Sequence, residues 1–200
     1  MGRFREQLQE QRWDDHRYYH HNLINRSLHF FSACTFVVCY ALVWNYPGLA
    51  ALLAWGFAMT SRQAGHFFFE PKGYDHVNDA THAYKEAVKV GYNLKRKYVM
   101  MGVWAASPIP LLLDPSFFGL FAQPHTTAFG FLENLGIVWL IVGVGALVFR
   151  TVQLFFIRDV QTGLVWATKI ITDPFHDMKL YAHAPVELAK NALAWRPSRG

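Results

Sequence analysis

The sequence predicts an all-α, polytopic membrane protein, with about four transmembrane helices in two hairpins and amphipathic helices on the cytoplasmic face. Three observations carry this. Charged residues make up 16% of the 200 residues and apolar residues 52%, against the roughly 25% charged of soluble domains. The apolar residues are clustered: mean hydropathy is only +0.09, yet residues 27–61 hold no charge and residues 98–149 hold only Asp114 and Glu133. Each run has room for two helices of about 20 apolar residues. All 19 lysines and arginines fall in residues 1–26, 62–97 and 150–200. Cytoplasmic loops retain such residues, so both termini are expected on the cytoplasmic side of a bacterial inner membrane or the endoplasmic reticulum.

Residues 1–25 read as an interfacial helix, polar throughout and without the apolar core of a signal peptide. Residues 26–69 read as the first hairpin, with helices at about 26–44 and 49–69. Asn45-Tyr46-Pro47-Gly48 makes the turn and Asn25 is the expected N-cap. Residues 70–97 form a cytoplasmic segment whose helix, 80–97, is capped by Asp79. Residues 98–150 form a second hairpin, with helices at about 98–113 and 128–150 joined by a Pro- and Phe-rich connection. Residues 151–200 form C-terminal amphipathic helices. Thr172-Asp173-Pro174 marks one start, with proline at the first helical position, and Pro185 marks another.

The chemistry-bearing residues are histidines. Nine of the ten accompany the basic stretches, and only His125 lies between the two helices of the second hairpin. Nearly every candidate metal ligand is thereby expected on one membrane face. In an unbroken helix, nine steps of about 100° would put His20 and His29 on opposite faces. A bend at residues 22–25 would let His20 approach His29 in the first turn of the span. His66 lies at the cytoplasmic end of the second span, level with His29, and Glu70 comes one turn later on the same face. Glu70 is a candidate catalytic residue beside His20, His29 and His66, either an extra metal ligand or, like His21 and Asn25 beside the first cluster, a supporting residue that orients a ligand. A fourth ligand is expected from His82, His176 or His183. The last two are seven apart, on one helical face. Imidazole ligands suit iron, zinc, copper or nickel. Cys34 and Cys39, five apart on one helix, are expected to be packing residues. No phosphate loop, nucleophile elbow or dinucleotide fingerprint occurs. Nothing in the basic stretches suits nucleic acid.

His20-x4-Asn25-x3-His29 entering a span, with Gly65-His66-Phe67-Phe68-Phe69-Glu70 leaving the next, resembles the membrane 2-hydroxy-fatty-acid dioxygenase family. The similarity covers about residues 13–72. After Glu70 the chain departs from the family pattern with Pro71-Lys72-Gly73-Tyr74. The resemblance implies an Fe2+-dependent enzyme of fatty acid α-oxidation, with a 2-hydroxy fatty acyl substrate and O2. It implies His20, His29 and His66 as metal ligands, accompanied by Asn25 and Glu70. Membrane lipid is an expected partner, and a homo-oligomer is compatible. Two other readings stand beside it. One is a di-iron lipid hydroxylase or desaturase using His16-x3-His20-His21. The other is a non-enzymatic membrane scaffold or lipid-binding protein.

Overall fold

The computed structural model describes residues 2–70 and 73–194. Pro71, Lys72 and residues 195–200, the end of the expected C-terminal segment, lie outside the described residues. The fold is all-helical. The first helix, α1 (Gly2–Tyr19), is built from Arg, Glu and Gln, good helix formers, with no glycine or proline in its interior. It ends where His20 and His21 leave helical geometry, and α2 (Leu23–Leu42) begins. The cap of α2 is Asn22, whose side chain accepts from the Ile24 N–H, and not the expected Asn25. Asn25 lies wholly buried one turn inside the helix.

After the turn, Pro47 opens α3 (Pro47–Leu53) at its first position, where its missing N–H costs nothing. The helix continues through a π-helical stretch, Ala54–Met59, into α4 (Thr60–Phe68). This stretch matters for the site. In an ideal α-helix Trp55 and His66, eleven residues apart, would share a face to within about 20°. Bonds of the i→i+5 type turn the chain less per residue, so six residues of them swing α4 by roughly a quarter turn. Trp55 therefore donates to the Trp139 carbonyl at 2.9 Å on one side, while His66 faces α2 on another.

The expected 80–97 helix is two helices, α5 (His82–Val88) and α6 (Leu94–Ala106), with α7 (Pro108–Leu113) after them. Thr81 and Asn93 are the caps. Asp79 sits instead in a turn at φ 49°. The break at residues 89–93 is held open by Arg150, whose guanidinium takes the carbonyls of Val90 and Gly91. For the same reason α8 (Ala128–Ile157) does not stop at Arg150 as expected. Arg150 is buried and bonded, and the apolar run continues until Arg158-Asp159. Asp159 then caps α9 (Val160–Tyr181).

Pro174 lies inside α9 and does not start a helix. Its ring removes the N–H that would meet the Ile170 carbonyl and opens the ladder there. The neighbouring Ile171 carbonyl accepts from the Tyr40 hydroxyl at 2.9 Å, so another helix makes good part of the loss. The last helix, α10 (Ala184–Ala194), carries Pro185 in its first turn, as expected.

α2 is the centre of the bundle. It packs on α4, the π stretch, α9 and α10, while α8 packs on α3 and α9, and α1 lies along α9. Gly48 and Gly136 let α3 and α8 touch backbone to backbone. A Cβ on Gly136 would sit 2.2 Å from the Gly48 carbonyl oxygen. Among the described residues one helix, α8, is long and apolar enough to cross a membrane.

Candidate metal centre

The bend at His20–Asn22 turns α1 back across the end of the α2/α4 pair, and three imidazoles meet there. His20 Nε2 lies 3.1 Å from His29 Nε2. His29 Nε2 lies 3.4 Å from His66 Nε2. The three ligand atoms are all within 4.8 Å of one another. His20 and His29 are buried, and His66 is nearly so. Nitrogens bonded at about 2.1 Å to one ion stand ~3.0 Å apart at right angles and ~3.4 Å apart at the tetrahedral angle. The His20–His29 and His29–His66 spacings match that range.

The outer ring nitrogens explain why these inner ones converge. His29 Nδ1 donates to the Asn25 carbonyl at 3.0 Å, four residues back on its own helix. His66 Nδ1 donates to Glu70 Oε2 at 2.7 Å. His20 Nδ1 meets the Tyr181 hydroxyl at 2.7 Å, and that hydroxyl meets His16 Nδ1 at 3.1 Å. A carbonyl and a carboxylate only accept, so His29 and His66 carry their protons on Nδ1 and present bare Nε2 lone pairs. Tyr181 both donates and accepts. Donating to His16, it can accept from His20, and in that tautomer the third Nε2 lone pair is bare as well. Three lone pairs so close repel one another, and a cation among them turns that repulsion into coordination. Burial, with His29 alongside, holds the His20 pKa well below its ordinary value, so the ring is neutral at physiological pH, as a metal ligand must be. Burial also raises Glu70, against the pull of Lys89 and Lys97.

Asn25 serves the site twice. Its backbone carbonyl holds His29, and its side-chain amide donates to the Tyr19 carbonyl at 2.8 Å, closing the bend. Its side-chain oxygen rests against Gly65, where a Cβ would come within 2.3 Å of it and 3.2 Å of His29 Cε1. Glycine in the Gly65-His66 pair is thus what brings α4 close enough for His66 to reach His29.

Of the six candidate ligands, His82, His176 and His183 do not join the group. His82 is half-buried at the start of α5. His176 lines a small pocket on the other side of His20. His183 is exposed in the turn after α9, not on one helical face with His176. His21 is exposed too, 3.6 Å from Asp75. Glu70 bonds to a ligand ring and lies outside the convergent group. His125 sits against Phe131 in the connection before α8.

Sequence reasoning missed what stands behind the triad. The pocket beside His20 is walled by Arg12 and Asp15 of α1, Arg62 of α4, and Lys169, Asp173 and Asp177 of α9. Lys169 bridges Asp15 and Asp173, Arg12 reaches Asp173 at 3.2 Å, and Arg62 reaches Asp177 at 3.0 Å. Burial works against the Lys169 ammonium, yet Asp15 and Asp173 hold its pKa above the ordinary lysine value. Burial pushes Asp177 up to about 6 against Arg62. The signal was present: Lys169, Asp173, Asp177 and Tyr181 recur every four residues, a polar stripe on one face of an otherwise apolar helix.

Tyr181→Phe removes the partner of His20 Nδ1 without changing shape. Metal affinity is expected to fall about 10- to 100-fold, the usual effect of losing a ligand's outer hydrogen bond. Chelator competition measures it, with an unchanged far-ultraviolet circular dichroism spectrum as the folding control.

No protein family, curated protein or solved structure matches this chain.

Proposed function

We propose that the chain is an Fe2+-dependent membrane oxygenase that shortens 2-hydroxy fatty acids by one carbon. It spans the bilayer four times, through α2, α3 to α4, α6 with α7, and α8, with both termini cytoplasmic. The observation that carries this reading is the meeting of three imidazole Nε2 atoms from distant parts of the chain, each ring held from behind by a different partner. The residues suit iron: three neutral nitrogen donors leave coordination positions for substrate and oxygen. The resemblance of the two histidine motifs to the 2-hydroxy-fatty-acid dioxygenases supplies the reaction class. Exposed Trp44 in the turn after α2, and Phe57, Leu113, Phe129, Phe149 and Phe156 on the helices read as spans, support the membrane setting.

Iron, when bound, would supply Lewis acidity and electrons for oxygen activation. His20, His29 and His66 would hold it. Tyr181, Asn25 and Glu70 keep the rings aimed, and burial keeps bulk water from the reacting atoms. The acyl tail would lie along the apolar helix surface, which accounts for a site at headgroup depth. The overall change balances without an outside electron donor: a 2-hydroxy acid and O2 give the acid one carbon shorter, CO2 and water. A one-iron site is favoured over a di-iron one, because His16 is engaged by Tyr181 and stands outside the triad.

The test is purification in detergent, metal analysis, and incubation with 2-hydroxypalmitate in air. One iron per chain and pentadecanoate formation are expected. Protein carrying stoichiometric iron that leaves 2-hydroxypalmitate intact sinks the substrate assignment.

A further inference from the structure

Charge around the triad does not balance once a dication is placed there, and the imbalance identifies the ligand that completes the site. The three imidazoles bind as neutral rings and bring no negative charge. Most nearby cations already have partners. Arg62 has Asp177, Lys169 has Asp15 and Asp173, and Lys89 has Glu86 at 3.6 Å and the Tyr19 ring at 3.5 Å. Lys97 differs. It is half-buried, yet among the described residues it has no hydrogen-bond or ion-pair partner.

Its placement is fixed from next door. Tyr98 stacks on Phe67 with ring centres 5.1 Å apart and planes 9° off parallel. Phe67 is the neighbour of His66, so the first turn of α6 is pinned against the end of α4 that carries His66 and Glu70. Half-buried Lys97, next in sequence to Tyr98, is thereby held beside that end of α4. Glu70 is engaged by His66 Nδ1. Glu70 is the carboxylate that acts most strongly on Lys97, ahead of Asp15 and Glu86, and those two are paired with Lys169 and Lys89; a bound dication would therefore leave positive charge uncompensated on this side of the site.

We propose that Lys97 is the docking cation for the carboxylate of the site's ligand, an acyl chain ending in a 2-hydroxycarboxylate. This rests on the reading of the triad as an iron centre for such acids. A neutral ligand would leave the half-buried lysine with no added anion to favour its charged form. A carboxylate gives it a charge-assisted hydrogen bond and supplies the missing negative charge. The hydroxyl then faces the metal and the tail runs out along the apolar helix surface.

The experiment is an anaerobic titration of the iron-loaded protein in detergent. The two probes are 2-hydroxyhexadecanoate and 1,2-hexadecanediol, which keeps the tail and hydroxyl and lacks the carboxylate. Wild type is expected to prefer the carboxylate. Lys97→Met weakens carboxylate binding about 10- to 100-fold, leaves the diol unchanged, and retains its iron and helicity. Lys97→Arg restores most of the affinity. Unchanged carboxylate affinity in Lys97→Met, an equal loss for the diol, or a wild type without the preference overturns the proposal. A wild type that takes up no iron and shows no preference overturns both readings. Because binding is read without oxygen, the two readings separate. A Lys97-dependent preference with no shortened acid in air keeps the docking role and removes the α-oxidation reading.

Discussion

His29→Ala is expected to empty the metal centre. The iron-to-protein ratio of the purified protein falls from near one to near zero, and product formation falls to background. His29 is the middle member of the triad, 3.1 Å from one neighbour's nitrogen and 3.4 Å from the other's. It is wholly buried, so no solvent-borne ligand takes its place. Its loss leaves His20 and His66, two neutral donors within 4.8 Å of each other, too few to hold the ion tightly. His183→Ala is the matched control. That histidine is exposed in the turn after α9, and its substitution is expected to leave iron content at the wild-type level. Elemental analysis of both variants beside wild type decides the matter. Full iron in His29→Ala would remove the triad from the mechanism.

Lys169→Met carries the largest expected cost to stability. Lys169 is 5% exposed and joins Asp15 of α1 to Asp173 of α9. Removing it leaves buried Asp173 with Arg12 alone and the partly exposed Asp15 without its cation. Breaking a buried pair from one side costs about 3–5 kcal/mol; with Arg12 still on Asp173 and water reaching Asp15, about 2 kcal/mol is expected, a fall in melting temperature of roughly 4–8 °C in a chain of this size. The effect reaches the site. α1 brings His20 and α9 brings Tyr181, and the Lys169 network clamps these two helices together. Iron affinity is therefore expected to weaken along with stability, though no ligand has been touched. Thermal unfolding in detergent, monitored by circular dichroism with and without iron, measures both. A melting temperature within a degree or two of wild type would mean the network is solvated and contributes little.

The identity of the convergent residues was legible because each carries a local signature. His29 and His66 each sit near the end of a charge-free run, and a Pro-Gly turn midway fixes them at the same level of a hairpin. Asn22 and Asn25 between His20 and His29 announce a helix break. Local chemistry also left each asparagine's job open. Either can cap a helix, and only burial separated them: Asn22 faces outward and caps, while Asn25 packs on Gly65 and holds the bend. Pro174 misled for a related reason. Proline favours a helix start, yet a hydroxyl from another helix, Tyr40, can serve the opened ladder, and no rule confined to neighbouring residues sees that hydroxyl. The 80–97 helix failed in the same way, broken by an arginine sixty residues away.

By itself the sequence determined that this chain is helical, where its long apolar runs lie, and which three histidines have the spacing to meet, because helix periodicity, caps and turns act over a few residues. Only the tertiary structure decided that Tyr181 stands behind His20, that Lys169 clamps α1 to α9, that a π-helical stretch turns His66 toward α2, and that Lys97 has no hydrogen-bond or ion-pair partner among the described residues. Each of these depends on how separate helices dock. Docking is set by the sum of many weak contacts over a whole interface, and no short window of residues contains that sum.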